Sequence, residues 1–521
     1  MPKWIFVTGG VLSGLGKGLV SASVSKLLQK RGQEIVPIKC DGYLNVDPGT
    51  MNPHEHGEVF VLEDGTEVDM DFGHYERFLG INCKGDWNLT SGKIFKEVID
   101  KERNGDYLGK TVQMVPHVTD HIKKSWTDSA KDEDADIIIV EVGGTVGDME
   151  NQFYLESVRQ LRNDLPEEDT VLIHTTLVPY LETTGEQKTK PTQHSVKALR
   201  EVGLEPDMVV GRSQEKLVES SVEKISLFCD VEEQAVISDP NLENVYELPL
   251  VFDDQNVGQQ VAEKLQLPDK TRDLDQWREK VENLKDEPVA KIALCGKYTD
   301  MDDSYASIEE ALKHSAVELG GSVEIEQVDT EDFKPGKIED FDGVIIPGGF
   351  GSRGIEGKID AIQYCRENSM PILGICYGMQ LMTVEYCRNE LGLDAASEEF
   401  GEEAEDLVVK EMQDQKDIEQ MGGTMRLGAY DADIEGKVED IYGEKEVTER
   451  HRHRFEINPE YEELLQSNGL KISGRNPEYD LSEFLELENH PFFVGTQAHP
   501  EFNSSFENPN PLYLEFLRSA K

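Results

Sequence analysis

The sequence predicts an α/β protein made of two doubly wound domains, each built on a mostly parallel sheet. Short apolar strands alternate with helix-spaced segments in both halves of the chain, which is typical of parallel sheets covered on both faces. The 521 residues also exceed what one hydrophobic core normally holds. A charged, helix-prone stretch divides the halves, so we expect domains at 1–268 and 289–521 joined by a linker helix at 269–288.

The individual elements follow from local composition. In the first half, an apolar strand at 4–8 enters a glycine-rich loop, and helical spacing at 19–30 stops at Arg31-Gly32. Further strands are expected at 34–39, 137–142, 171–175 and 208–211. The second half continues with strands at 290–295, 343–347 and 371–375 and a helix at 359–367. Residues 397–420 are acidic and lack periodicity, which indicates a surface excursion.

The charge balance excludes several classes of partner. The chain has 104 acidic and 52 basic side chains and a net charge of −52, with the acids spread through both halves. Such a field excludes a DNA- or RNA-binding surface, which needs a basic footprint, and docking on an anionic membrane. It is typical of halophilic proteins, because molar salt shortens the Debye length to about 3 Å and makes self-repulsion tolerable.

Cysteine usage and hydropathy indicate a cytoplasmic protein. The seven cysteines are scattered and form no Cys-x-x-Cys pair, so neither a zinc site nor a disulfide framework is expected. The start of the chain lacks the apolar stretch of a signal peptide, and runs such as 137–140 are too short to cross a bilayer.

The first candidate site is a phosphate-binding loop at 9–18, between the first strand and the first helix. Backbone N–H groups at a helix N-terminus bind phosphates, and Lys17 adds a positive charge. The match to the Walker pattern is imperfect, because Gly10 stands one residue early and Gly18 replaces the Ser or Thr that would hold Mg²⁺. We therefore expect Asp71 and Glu141 to hold the metal; Glu141 ends an apolar strand, where an unpaired carboxylate would be costly.

A second polar loop at 185–195 has the composition expected for a further polyanion. It contains two lysines, two threonines, two glutamines, a serine and a histidine. Bases that stand out against the acidic background are Lys17, Lys39, Lys188, Lys190, Arg212 and Lys224.

The second candidate site is a cysteine nucleophile in the C-terminal half. Cys376 follows an apolar strand and is flanked by Gly374 and Gly378, the pattern of a nucleophile elbow with Cys in place of Ser. The helix that follows favours the thiolate. His499 is the candidate base and Glu501 its orienting acid, while backbone N–H groups at 347–351 could form an oxyanion hole.

Longer strings in the sequence carry a family resemblance. The C-terminal half resembles class I glutamine amidotransferase domains, and nearly the whole chain resembles the CTP synthase family, in which an amidoligase domain is fused to such a glutaminase. The motifs are Val7-Thr-Gly-Gly, Asn45-Val-Asp-Pro-Gly-Thr-Met51, His56-Gly-Glu-Val-Phe60, Gly73-His-Tyr-Glu-Arg77, Arg103-Asn-Gly-Asp-Tyr-Leu108, Lys188-Thr-Lys-Pro-Thr-Gln193, Gly422-Gly-Thr-Met-Arg-Leu-Gly428 and Arg450-His-Arg-His-Arg454.

The resemblance implies a ligase of pyrimidine biosynthesis. ATP would phosphorylate O4 of UTP, and ammonia from glutamine, travelling inside the protein, would displace that phosphate to give CTP. Family behaviour further implies activation by GTP, inhibition by CTP, an Mg²⁺ requirement and a homotetramer. Without the resemblance, the residues of the two halves indicate only a nucleotide-dependent amidotransferase; the uracil specificity comes from the resemblance.

The resemblance also implies residue roles. ATP would be bound by Gly14, Leu15, Gly16, Lys17, Gly18, Leu19 and Asp71, with Asp71 and Glu141 on Mg²⁺. UTP or CTP would be bound by Ser13, Asp148, Met149, Glu150, Lys188, Thr189, Lys190, Pro191, Thr192, Gln193 and Lys224. Glutamine would be bound by Gly349, Tyr377, Gly378, Met379, Gln380, Glu399 and Arg454. Residues 238–242 depart from the pattern expected for the adenine contact, so that contact is left unassigned.

Two alternatives stay open from the sequence. One is another ATP-dependent, glutamine-hydrolysing amidoligase of the dethiobiotin-synthetase type; the 188–193 loop favours a triphosphate substrate over it. The other is a P-loop partitioning ATPase or a filament-forming protein with an inactive glutaminase. The presence of Cys376, His499 and Glu501 argues against the second alternative.

Overall fold

The structure is a computed structural model of the chain, and it describes residues 2–50, 57–268, 273–296, 305–401, 403–411 and 425–521. The strands of these residues, in chain order, are β1 Lys3–Gly9, β2 Ile35–Asp41, β3 Phe60–Val61, β4 Glu67–Val68, β5 Asn88–Thr90, β6 Ile137–Val142, β7 Thr170–Leu177, β8 Tyr180–Leu181, β9 Glu186–Gln187, β10 Met208–Ser213, β11 Val236–Pro240, β12 Pro288–Gly296, β13 Ser322–Asp329, β14 Gly343–Ile346, β15 Ile372–Ile375, β16 Ala395–Ser397, β17 Asp406–Glu411, β18 Arg426–Ile434, β19 Glu446–His453, β20 Phe455–Ile457, β21 Leu470–Arg475, β22 Ser482–Leu487 and β23 Phe493–Thr496.

The α-helices of the described residues are α1 Lys17–Gln29, α2 Asp71–Leu79, α3 Ser91–Asn104, α4 Thr119–Asp132, α5 Gln152–Asp164, α6 Lys190–Glu201, α7 Glu219–Cys229, α8 Leu248–Asp254, α9 Val257–Lys264, α10 Asp275–Asn283, α11 Ala306–Glu318, α12 Ile355–Asn368, α13 Tyr377–Asn389, α14 Gly436–Tyr442, α15 Pro459–Ser467 and α16 Pro511–Ala520. None of these helices is long and apolar enough to span a bilayer. The chain divides into two compact units: Met1–Pro48 with His74–Arg278, and Gly49–Gly73 with Glu279–Lys521.

The first unit contains a seven-stranded, wholly parallel sheet in the order β11-β10-β7-β1-β6-β2-β5. The apolar residues of β1 and β6 are buried on both faces, as expected for a parallel sheet with helices on either side. Because all strands run in one direction, the loops after β1, β2, β6 and β7 meet at the same carboxyl edge. The predicted phosphate loop lies at this edge.

The second unit contains a nine-stranded mixed sheet. Five parallel strands in the order β13-β12-β14-β15-β23 continue into four antiparallel strands, β22-β21-β18-β19. The predicted α/β class is therefore confirmed in both units, and the antiparallel extension is an addition that periodicity did not show. Cys376 follows β15, near the middle of the parallel part, and His499 follows β23, the neighbouring strand.

The short ribbon of β3 and β4 packs within the second unit, although it precedes most of the first unit in sequence. Arg450 donates from Nη1 to the Val61 carbonyl over 3.1 Å, and the Ala429 N–H donates to the Glu63 carbonyl over 2.9 Å. A Cβ on Gly428 would lie 2.5 Å from the Gly65 nitrogen, so this close backbone approach needs glycine. The contiguous domain boundaries drawn from the sequence gave no sign of this segment and stay a prediction.

Two predicted connecting segments lie partly outside the described residues. In the predicted linker, residues 269–272 are not described, and the remainder contains α10, whose Trp277 packs against Phe78 and Tyr246. In the predicted acidic excursion, residues 402 and 412–420 are not described. Its other residues include β17, which pairs with β16 and β20, so part of the segment is a regular strand that the lack of periodicity did not show.

Candidate functional site

The strand-to-helix turn at Cys376 has the geometry of a nucleophile elbow. Cys376 adopts φ 52° and ψ −103°, a region costly for a residue with a side chain, between β15 and α13. Its N–H donates to the Thr496 carbonyl over 2.6 Å. A Cβ on Gly378 would lie 2.1 Å from the Ile346 oxygen, and one on Gly374 would lie 2.9 Å from the Gly378 carbonyl carbon. The small flanking residues predicted to permit the turn are thus required by close packing.

His499 and Glu501 lie beside this thiol. His499 Nδ1 is 2.7 Å from Glu501 Oε1, and Tyr513 donates its hydroxyl to the other carboxylate oxygen over 3.3 Å. Burial by itself would lower the pKa of His499, but the Glu501 carboxylate and the hydrogen-bonded Cys376 sulfur outweigh it and raise the pKa to about 10. The ring is therefore held as an imidazolium beside the sulfur, where a base that partners the nucleophile belongs.

The loop after β14 closes over the pair. A Cβ on Gly348 would lie 2.8 Å from His499 Cε1 and 3.7 Å from Cys376 Cβ, so this backbone passes directly against both groups. Glu399 accepts the Gly351 N–H over 2.7 Å, and the Tyr377 hydroxyl donates to the Gly351 carbonyl over 2.8 Å. These two bonds fix the segment that was predicted to supply oxyanion-hole N–H groups.

A cavity of about 480 Å³ opens at the thiol, large enough for a small substrate. Five of the seven residues predicted to bind glutamine line it, namely Gly349, Tyr377, Gln380, Glu399 and Arg454. The other two, Gly378 and Met379, are buried in the helix below the elbow. Lining residues that the sequence reasoning missed include Glu58 and Arg452.

Glu58 and Arg452 each form polar contacts near the β3–β4 ribbon. Glu58 accepts hydrogen bonds from the backbone and hydroxyl of Ser307, and Arg452 Nε donates to Glu67 over 2.8 Å. Both residues stand in strings that carry the family resemblance. Neither string alone indicated that the segment of Glu58 and the segment of Arg452 line one cavity, because they are far apart in sequence.

The phosphate loop of the first unit turns into α1 through left-handed glycines. Gly14 and Gly16 have φ values of 74° and 79°, and a Cβ at either would meet no neighbour, so the requirement is conformational. Lys17 is 7% exposed at the first position of α1, and its Nζ donates to the Gly144 carbonyl over 2.9 Å. Leu15 lies between these two glycines, Gly18 and Leu19 lie in the first turn of α1, and Ser13 is exposed just before the glycines.

Glu141 is buried at the end of β6, but the premise that it lacks a partner does not hold. Lys39 Nζ lies 3.6 Å from Glu141 Oε1 and 3.7 Å from Asp41 Oδ1, and the Tyr75 hydroxyl donates to Glu141 Oε2. Asp71 lies one helical turn before Tyr75 in α2 and so shares its face. No group of three or more His, Cys, Asp or Glu side chains in the described residues could hold a metal alone. The assignment of Mg²⁺ to Asp71 and Glu141 therefore stays a prediction, one that needs phosphate oxygens and water to complete the metal's shell.

The second polar loop starts α6 and packs beside the phosphate loop. A Cβ on Gly10 would lie 1.5 Å from Ser195 Oγ, so the two segments touch. Between them His174 is hydrogen-bonded to Thr8 and Ser195 over 2.8 and 2.7 Å. Burial, followed by the charge of Lys17, lowers its pKa to about 3, so the ring is a neutral structural bridge. The sequence reasoning missed this histidine, which stands in an ordinary apolar strand.

The remaining predicted nucleotide contacts lie on nearby loops of the same unit. Lys188 pairs with Glu186 over 2.6 Å. The pKa of the exposed Glu186 carboxylate is lowered mainly by Lys188 and to a smaller extent by Lys224, so the two lysines are neighbours. Thr192 accepts from Thr176, and Gln193 donates to Thr189. The other predicted contacts are Asp148, which accepts the Thr145 N–H, the exposed Met149, Glu150 and Lys190, and the half-buried Pro191.

Comparison with known proteins gives matches to both units. A family model described as CTP synthase N-terminus matches residues 3–267, and one described as Glutamine amidotransferase class-I matches residues 300–519. A CTP synthase of Archaeoglobus fulgidus is 51% identical over 526 residues, which cover 99% of this chain and 98% of the relative. A CTP synthase of Caldanaerobacter subterraneus is 50% identical over 527 residues, 100% of this chain and 98% of the relative. Among solved structures, a Trypanosoma brucei CTPS glutaminase domain with bound acivicin is 37% identical and covers 44% of this chain and 93% of that one, with a TM-score of 0.42.

Proposed function

Since the chain belongs to the CTP synthase family, we propose that its two predicted sites perform the two halves of one reaction. The protein is a glutamine-hydrolysing ligase that forms CTP from UTP with ATP. Membership of the CTP synthase family therefore excludes both alternatives, another amidoligase and a protein with an inactive glutaminase. The observation that carries the residue-level proposal is the Cys376–His499–Glu501 arrangement at the mouth of the cavity.

In the glutaminase half, Cys376 attacks the side-chain carbonyl carbon of glutamine as a thiolate. The negative oxygen that develops is stabilised by backbone N–H groups of the 347–351 loop, and His499 gives its proton to the departing ammonia. Water then hydrolyses the glutamyl thioester and releases glutamate, with His499 as the base. Glu501 keeps the ring oriented, as its 2.7 Å bond to Nδ1 supports.

In the synthase half, Lys17 and the N–H groups of residues 14–19 bind the ATP phosphates. UTP, or CTP as an inhibitor, is bound by Lys188–Gln193, Lys224, Ser13 and Asp148–Glu150. Asp71 and Glu141 would hold Mg²⁺, which would neutralise part of the phosphate charge. Transfer of the terminal phosphoryl group to O4 of UTP makes that oxygen a good leaving group before the weak nucleophile ammonia arrives.

The finer properties rest on family membership. We infer activation by GTP, inhibition by CTP, a homotetramer and a cytoplasmic location. All seven cysteines, each within the described residues, are free and buried, which supports a reducing compartment.

The test separates the two sites. Cys376→Ala should abolish CTP formation from glutamine yet leave formation from ammonium chloride at alkaline pH intact, because the thiol takes no part in phosphorylation. Lys17→Ala should fail with either nitrogen source. Cys387→Ala, which removes a buried thiol from α13, the helix that follows Cys376, is the matched control and should use glutamine normally. Efficient use of glutamine by Cys376→Ala would refute the thiol assignment.

A further inference from the structure

A chain of two side-chain amides, those of Gln380 and Gln497, leads to the sulfur of Cys376. Gln497, two residues before His499, is fully buried, and its Nε2 lies 3.7 Å from Cys376 Sγ. Its Oε1 accepts from Gln380 Nε2 over 3.2 Å. Gln380 Nε2 in turn donates to the Phe455 carbonyl over 2.8 Å.

The direction of these hydrogen bonds is fixed at one end. A backbone carbonyl can only accept, so the Phe455 oxygen requires the NH₂ of Gln380 to face it. The second hydrogen of that NH₂ then requires the oxygen of Gln497 to face Gln380. A flipped Gln497 amide would set two NH₂ groups against each other, so its own NH₂ must face the sulfur.

The Phe455 carbonyl is itself anchored by a buried histidine pair. His453 Nδ1 lies 3.2 Å from that oxygen, and His451 Nδ1 lies 2.9 Å from His453 Nε2. Burial lowers the pKa of both rings well below the ordinary value, so both are neutral and each has one N–H to direct. Only the Nδ1–H form of His453 can donate to the carbonyl. The acceptor that orients the amide chain is thus held from a second side.

We propose that Gln497 is a further catalytic residue of the glutaminase half, whose amide N–H donates to the thiolate of Cys376, and that Gln380 is its positioning residue. Together with the imidazolium of His499 this gives the anionic sulfur two donors. A hydrogen bond from an amide N–H stabilises the sulfur anion that attacks the substrate and holds it in position. The inference rests on the proposed role of Cys376 as nucleophile.

The same geometry limits what Gln380 can offer to glutamine. Both hydrogens of its NH₂ are used, one on Phe455 and one on Gln497, so only its Oε1 is left for a ligand in the cavity. Its predicted contact with glutamine is therefore as an acceptor, suited to the α-ammonium group.

The test is Gln497→Glu, which preserves shape and can accept from Gln380 but cannot donate to sulfur. Glutamine-dependent kcat should fall roughly 10- to 100-fold, as for loss of a hydrogen bond to a charged group. Alkylation of Cys376 by iodoacetamide, followed by peptide mass spectrometry, should shift to higher pH in Gln497→Glu and also in Gln497→Met, which adds no charge beside the sulfur and so isolates the loss of the donor. Ammonia-dependent CTP synthesis should stay unchanged. The exposed Gln466→Glu is the matched control for the charge.

The two proposals fail in different ways. Wild-type glutamine use and an unchanged alkylation profile in Gln497→Glu, with Cys376→Ala inactive on glutamine, would overturn the role of Gln497 alone. Glutamine use by Cys376→Ala would overturn the proposed nucleophile. If the buried carboxylate of Gln497→Glu prevents folding, Gln497→Met keeps the side-chain volume without a charge, and the same two measurements decide.

Discussion

Gly348→Ala tests whether the glutaminase depends on the position of His499. The added Cβ would lie 2.8 Å from His499 Cε1, whereas ordinary contacts begin at 3.4 Å, so the ring must retreat by about 0.6 Å. The ring cannot do so freely. Its Nδ1 is held 2.7 Å from Glu501, and it stacks on Phe502 with centroids 5.3 Å apart.

A displacement of this size should be costly, because a misplacement of about 1 Å can reduce a rate about 100-fold. We expect glutamine-dependent kcat to fall roughly 10- to 100-fold, with ammonia-dependent CTP formation unaffected. The assay follows CTP by absorbance with each nitrogen source. Gly336→Ala, whose Cβ would meet only Glu339 Oε1 at 3.9 Å, is the matched control. Equal use of glutamine by the two variants would refute the reasoning, since His499 would then tolerate displacement.

Three further predictions concern charge, metal and pH. With a net charge of −52, lowering KCl from molar to millimolar should cause loss of far-UV circular dichroism signal or dissociation of oligomers; unchanged structure in dilute buffer would contradict salt adaptation. Asp71→Asn should abolish CTP formation from glutamine and from ammonia while part of the glutamine hydrolysis survives, and normal synthesis would remove Asp71 from the metal site. Because the folded pKa of His499 is raised from 6.5 to about 10, its stabilising contribution is complete below pH 6.5 and lost as pH rises through about 10. Tm in molar KCl should therefore fall across that window, and less steeply in His499→Asn; a Tm that does not fall would contradict the raised pKa.

The sequence by itself determined the features that depend on a few consecutive residues. Apolar runs predicted five strands of the first sheet and three parallel strands of the second, and small residues around Cys376 predicted the elbow. Left-handed glycines before Lys17 marked the phosphate turn. Each of these signals acts through backbone conformation or local burial, which neighbouring residues set.

Only the tertiary structure decided which distant segments meet. It grouped 49–73 with the second unit, placed Lys39 and Tyr75 on Glu141, and directed Gln497 at the Cys376 sulfur. Strand periodicity does not say which strand is whose neighbour, and a buried polar side chain acquires its partners only when the sheet order is set. The partners of such groups are therefore a property of the packed fold, because desolvation makes unpaired alternatives too costly to persist.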